Sequence, residues 1–224
     1  MLIPSIDLMG GRIVQLVQGA ELKLAFDDFE YWIERFSAYP IVQLIDLDAA
    51  MGKGNNSALI EQFVKRLPCQ VGGGIRTSDH AKRILGAGAR RVIFGSALFN
   101  AQGVNTGAAE SIAQTIGPGK FVAGIDTKGG RVAIRGWKET VTLTPEQAIA
   151  ALEPFCSAFL YTHVDTEGTL QGFPFERART LRSLTSRQLI VAGGIRERAE
   201  IDALDAIGVD AVAGMAVYTG LLPA

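Results

Sequence analysis

Two short segments of the 224-residue chain share an arrangement suited to proton transfer. Ile6-Asp7-Leu8-Met9-Gly10-Gly11-Arg12 and Ile125-Asp126-Thr127-Lys128-Gly129-Gly130-Arg131 each close an apolar run with a carboxylate and follow it with a double-glycine turn. A lone aspartate in that setting would most simply cap the turn. A matched pair points further, to two carboxylates that can hold a small molecule between them, one giving a proton and one taking it.

A second set of residues suits anion binding. Gly73-Gly74-Ile75-Arg76 recurs as Gly193-Gly194-Ile195-Arg196, and Phe94-Gly95-Ser96-Ala97 as Ala213-Gly214-Met215-Ala216. Glycine lets backbone N–H groups approach a phosphate closely, and a helix N-terminus adds a favourable dipole. Gly73, Gly74, Arg76, Gly95 and Ser96 form one candidate phosphate cradle; Gly193, Gly194, Gly214 and Met215 form the other. Two cradles imply a ligand with a phosphate at each end. Neither cluster is a GxGxxG fingerprint, so a dinucleotide fold is not indicated.

These matches lie 119 or 120 positions apart, and Asp48 answers Asp165 at 117. A period this long is a duplicated half, not a solenoid repeat. Within each half, short β-branched runs alternate with amphipathic helical stretches. The expected strands are Leu2–Asp7, Ile41–Asp46, Cys69–Gly72, Arg91–Gly95, Phe121–Asp126, Ala158–Val164, Leu189–Ala192 and Ala211–Gly214. Near-continuous apolar strands separated by helices indicate a parallel sheet covered on its outer face. Two four-unit halves remove their open edges by pairing with each other. The expected fold is therefore an α/β (β/α)₈ barrel of two duplicated half-barrels, one domain over residues 1–224. Pro4 is tolerable only near the start of its strand. Ser57, Ser78 and Thr144 are the expected N-caps, with Pro145 at a first helical position.

In such a barrel the loops after the strands form the active face. Thr162, near the mouth end of the sixth strand, can orient Asp126 or bond a substrate hydroxyl. Trp137, in Arg135-Gly136-Trp137 after the fifth strand, can close over a flat heterocycle. His163 should face the helices, and His80 should be a solvated helix residue.

Composition narrows the classes. There are 22 Lys plus Arg against 23 Asp plus Glu, which argues against a general nucleic-acid or anionic-membrane surface. Cys69, in an apolar run, and Cys156, in a helical pattern, have no metal or disulfide spacing and are expected to be buried thiols. No signal peptide or membrane-length apolar run is evident, so a cytoplasmic protein is expected, a monomer with no metal.

The chain resembles the ProFAR isomerase family of histidine biosynthesis, which acts on phosphoribosylformimino-aminoimidazole-carboxamide ribotide. The resemblance rests on Ile3-Pro4-Ser5-Ile6-Asp7-Leu8, Val17-Gln18-Gly19, Asp46-Leu47-Asp48, Gln70–Arg76, Gly124-Ile125-Asp126, Arg131-Val132-Ala133, Arg135-Gly136-Trp137 and Gly168-Thr169-Leu170-Gln171-Gly172. It implies a cofactor-free Amadori rearrangement of an aminoaldose to an aminoketose. It also implies Asp126 as general acid, Asp7 as general base, Thr162 supporting Asp126, and Trp137 packing on the substrate's imidazole. Arg135 belongs to the same substrate loop. The chain departs from the family pattern at Met215, where Lys or Arg is common, and at Glu167, where Asp is usual. It departs also in residues 20–28 and 100–107 and in a short C-terminal helix. The cyclase subunit of imidazole-glycerol-phosphate synthase shares the duplication and paired aspartates. A bifunctional isomerase that also takes phosphoribosylanthranilate shares the chemistry. Arg135-Gly136-Trp137 and the Asp7–Gly11 start favour the ProFAR isomerase.

Overall fold

A computed structural model describes residues 1–100 and 102–223. Eight parallel strands close on themselves: β1 (Leu2–Met9), β2 (Val42–Asp46), β3 (Cys69–Gly72), β4 (Arg91–Phe94), β5 (Phe121–Lys128), β6 (Ala158–His163), β7 (Gln188–Ala192) and β8 (Val209–Ala213). All eight expected strands are present, with ends shifted by at most a few residues. The seams between the halves are equivalent. β8 joins β1 with Leu2 opposite Ala211, and β4 joins β5 with Phe121 opposite Val92, so both members of the pair move by the same 119 positions. Closure leaves no free edge in the barrel. Pro4, third in β1, lies opposite Ala213.

The strands are buried on both faces because they separate two apolar layers. Ile3, Ile93, Val122, Leu160, Ile190 and Val212 fill the barrel interior. Leu44, Val71, Phe94, Phe121, Phe159 and Leu189 face the helices. Burying a Leu, Ile or Phe side chain contributes roughly 1.5–3 kcal/mol, so this double layer dominates the fold's stability. The helix Phe29–Phe36 shows the outer pattern: Trp32, Ile33 and Phe36 are buried, and Asp28 caps it by accepting from the Tyr31 N–H.

Thr144 caps the helix Pro145–Leu152 as expected, in a reciprocal capping box with Gln147. Two caps fall one residue earlier than expected. Asn56 precedes the helix Ser57–Val64, and Thr77 caps Ser78–Ala87 by accepting from the His80 N–H. Cys156 is buried and free but lies beyond the helix that ends at Leu152, with its thiol directed to the Leu152 carbonyl. His80 is half-buried, not freely solvated.

Polar side chains at the strand N-termini close the barrel floor. Arg91 donates to Gln70 at 3.0 Å and across the axis to Gln188 at 2.6 Å. Gln70 donates to Gln43, and Gln188 to Asp210, which also pairs with the N-terminal ammonium. Access to the barrel interior is left to the opposite face. Among the described residues, no helix is long and apolar enough to cross a membrane.

Candidate active site

Asp7 and Asp126 are each the sixth residue of an eight-residue strand, and β1 and β5 are separated by three strands either way around the barrel. Beyond each aspartate the strand runs into a hairpin. Met9 pairs with Arg12 after β1, and Lys128 with Arg131 after β5. The first hairpin has arms Arg12–Val17 and Glu21–Phe26, and the second starts with Arg131–Ile134. Its turns are held alike. Asp48 accepts from the Gly10 N–H at 2.6 Å, and Asp165 from the Gly129 N–H at 3.0 Å. The duplication thus extends to the side chains that tie down the loops after the two aspartates.

Both aspartates line one cavity at the strand C-termini. Burial pushes the Asp7 carboxyl up to about 6, against the Ser5 hydroxyl, which bonds it at 2.9 Å. Burial also raises Asp126, opposed by the Trp137 indole N–H at 2.8 Å and by the hydroxyl of Thr162, its neighbour in register on β6. Both groups therefore titrate closer to neutrality than an exposed aspartate, as acid–base work at neutral pH requires.

A third carboxylate, Glu167, lines the same cavity. Burial and then the charges of Asp7 and Asp126 push it up to about 8, which favours its protonated form. The sequence marks it only as a departure from the family pattern. Its position two residues after Asp165 and directly before Gly168 was the available signal. Ser5 and Gln15 are two further cavity residues that sequence reasoning missed. Gln15 is 4% exposed, and its amide oxygen lies against Gly214.

The glycine cradles occupy equivalent places around the mouth. Gly73 and Gly193 have φ of 90° and 114°, and a Cβ on either would collide with a backbone carbonyl, Asp46 O or His163 O respectively. Only glycine serves there. Gly95 and Gly214 each precede a short helical turn, Ser96–Leu98 and Met215–Tyr218, with closely similar backbone angles. The first N–H groups of such turns lack helical partners. Gly73, Gly74, Arg76, Gly95, Ser96, Gly193, Gly194, Gly214 and Met215 all line the cavity with Asp7, Asp126, Thr162 and Trp137. Arg135 does not join them through its side chain. Its guanidinium is exposed and pairs with Glu139 at 3.0 Å, while its backbone N–H donates to the Ser96 hydroxyl at 2.9 Å. His163 turns away as expected, contacting Thr166 and the Phe173 ring.

The fold and the mouth define a class: a duplicated (β/α)₈ barrel with carboxylates on opposite strands between two glycine cradles. The chain belongs to the family of histidine biosynthesis proteins, which it matches over residues 1–223. It is 34% identical to a protein of Methanocaldococcus jannaschii, over 99% of this chain and 95% of that one. It is also 34% identical to a Deinococcus radiodurans protein, over 99% and 94%, and 31% identical to one from Methanothermobacter thermautotrophicus, over 99% and 95%. All three are named 1-(5-phosphoribosyl)-5-((5-phosphoribosylamino)methylideneamino)imidazole-4-carboxamide isomerase.

Proposed function

We propose that the chain, acting as one unit, isomerises ProFAR, the bisphosphorylated aminoaldose of histidine biosynthesis, to its aminoketose. The observation that carries this reading is the equivalence of Asp7 and Asp126 in one mouth, flanked by two equivalent cradles. A ligand with a phosphate at each end would span the cradles and hold its central sugar between the carboxylates. Protonation of the ribose ring oxygen opens the ring to a Schiff base. Removal of the C2′ proton then gives an enolamine, which tautomerises to the ketose.

Asp7 is the base: its carboxyl, at about 6, is ionised at neutral pH yet basic enough to take a carbon-bound proton. Asp126 and Glu167 form the acid side, with Glu167 carrying the proton at neutral pH. Thr162 and Trp137 hold Asp126 in place. Trp137 supplies a flat face for the imidazole. The test is turnover by the purified protein, assayed separately with ProFAR and with phosphoribosylanthranilate. Conversion of ProFAR alone is expected. Conversion of both would make the chain the bifunctional isomerase, and conversion of neither would overturn the reading.

A further inference from the structure

The hairpin after β1 crosses the mouth to meet the loop after β6, although β1 and β6 are not neighbours in the barrel. The meeting point is Gln18. Its backbone N–H donates to the carbonyl of Glu167 at 2.9 Å, and its side-chain amide donates to the carbonyl of Asp165, also at 2.9 Å. The chains touch closely, since a Cβ on Gly168 would overlap the carbonyl of Leu16. Gly19, next along, lies against the Trp137 ring, where a Cβ would come within 2.8 Å of two ring carbons.

Gln18 takes up an uncommon backbone to do this, with φ of 49°. Among the described residues, the non-glycine positions with positive φ are Gln18, Arg135, Trp137 and Leu170. All four lie in the loops after β1, β5 and β6. Such backbone persists only where surrounding contacts hold it. The two amide bonds of Gln18 are such contacts.

We propose that Gln18 is a positioning residue: by bonding both Asp165 and Glu167 it fixes the Glu167 carboxyl in the mouth beside Asp7 and Asp126. The inference rests on the functional reading above for its catalytic meaning, and on the hairpin–loop contact for its geometry. The charged groups facing Glu167 are Asp7 from β1 and Asp126 from β5. Asp165, on the same loop, is committed to the Gly129 N–H, and Lys23 and Glu21, on the same hairpin as Gln18, pair with each other. Gln18 itself brings no charge. It is exposed at the rim, and it acts by holding the loop against the hairpin.

The test is an infrared titration of the protonated carboxyl band in the purified protein, read alongside the pH dependence of turnover. Glu167→Gln identifies the band. Gln18→Gly removes the side-chain amide and its bond to Asp165, keeping the backbone N–H and permitting the positive φ, and Gln18→Asn keeps a polar side chain too short to reach Asp165. Both variants should melt as the native protein does. In both, the Glu167 band should titrate about one pH unit lower, because added hydration favours the charged form. The alkaline fall of kcat/KM should move with it, and in a Glu167→Gln background Gln18→Gly should add nothing. A Glu167 band that titrates unchanged in folded Gln18→Gly and Gln18→Asn would overturn the inference. Because the infrared titration needs no substrate, it decides the role of Gln18 even if neither ProFAR nor phosphoribosylanthranilate is turned over, a result that would fall on the proposed function instead.

Discussion

The indole N–H of Trp137 donates to Oδ2 of Asp126 at 2.8 Å, so the aromatic of the fifth loop is bonded to the carboxylate of the fifth strand. Asp7, its counterpart, is bonded by Ser5 from its own strand. The two equivalent aspartates are thereby differentiated. One is bonded from the fifth loop as well as from the barrel, the other from the barrel alone.

Trp137→Phe keeps an aromatic face and removes the donor. A hydrogen bond to a charged group contributes about 1.5–3 kcal/mol, so kcat/KM should fall by roughly 10- to 100-fold. The Asp126 carboxyl should rise further, since a group favouring its charged form is lost. Native kcat/KM in this variant would mean that the ring, and not the bond, is what Trp137 supplies.

The pH dependence of kcat/KM should be bell-shaped. Activity needs Asp7 ionised and Glu167 protonated, so it should decline below about 6 and above about 8. Glu167→Gln should lower turnover and abolish the alkaline limb. A limb that survives this substitution would assign it to another group.

Stability should instead fall steadily as pH rises across the same window. Asp7 and Glu167 both have carboxyls raised by folding, so their protonated forms favour the native state. That contribution is complete below their ordinary values of 3.8 and 4.5, and is lost as pH rises through about 6 and about 8. Asp7→Asn and Glu167→Gln, which cannot ionise, should therefore melt higher than the native protein at pH 8.5, by several degrees. Equal or lower melting temperatures there would contradict the burial of these charges.

Much of this was legible because the chain is written twice. The repeated Asp-x-x-Gly-Gly-Arg segment found Asp7 and Asp126, and the repeated glycines found the positive-φ positions 73 and 193, where a steric demand leaves one residue type. What escaped depends on contacts distant in sequence. Glu167 matters because the hairpin after β1 folds across the mouth and meets its loop at Gln18, and no local pattern reports that crossing. The outer hairpin arm itself read as a loop, since Glu21–Phe26 is short and none of it is fully buried. The N-caps slipped by one because Asn56 and Thr77 adjoin serines of similar chemistry. Arg135 joined the site by its place in the chain, but its side chain finds Glu139 four residues on.

The cradles can be tested at the glycine where sterics do not interfere. Gly95 has negative φ and open space where a Cβ would stand, whereas Gly73 has neither. Gly95→Ala should fold normally and raise KM more than it lowers kcat, by crowding a phosphate remote from the reacting atoms. Gly73→Ala should lose stability outright. An unchanged KM in Gly95→Ala would remove that glycine from substrate binding.

The most direct measurement is single-turnover conversion of ProFAR by the native protein and by Asp7→Asn, with circular dichroism establishing that both are folded. The asparagine keeps the shape and the Ser5 contact but cannot take the C2′ proton. Conversion by the native protein is expected, with a rate about 10²- to 10⁴-fold lower in the variant. Conversion by Asp7→Asn at the native rate would contradict the assignment of Asp7 as the base, and with it the paired-carboxylate mechanism.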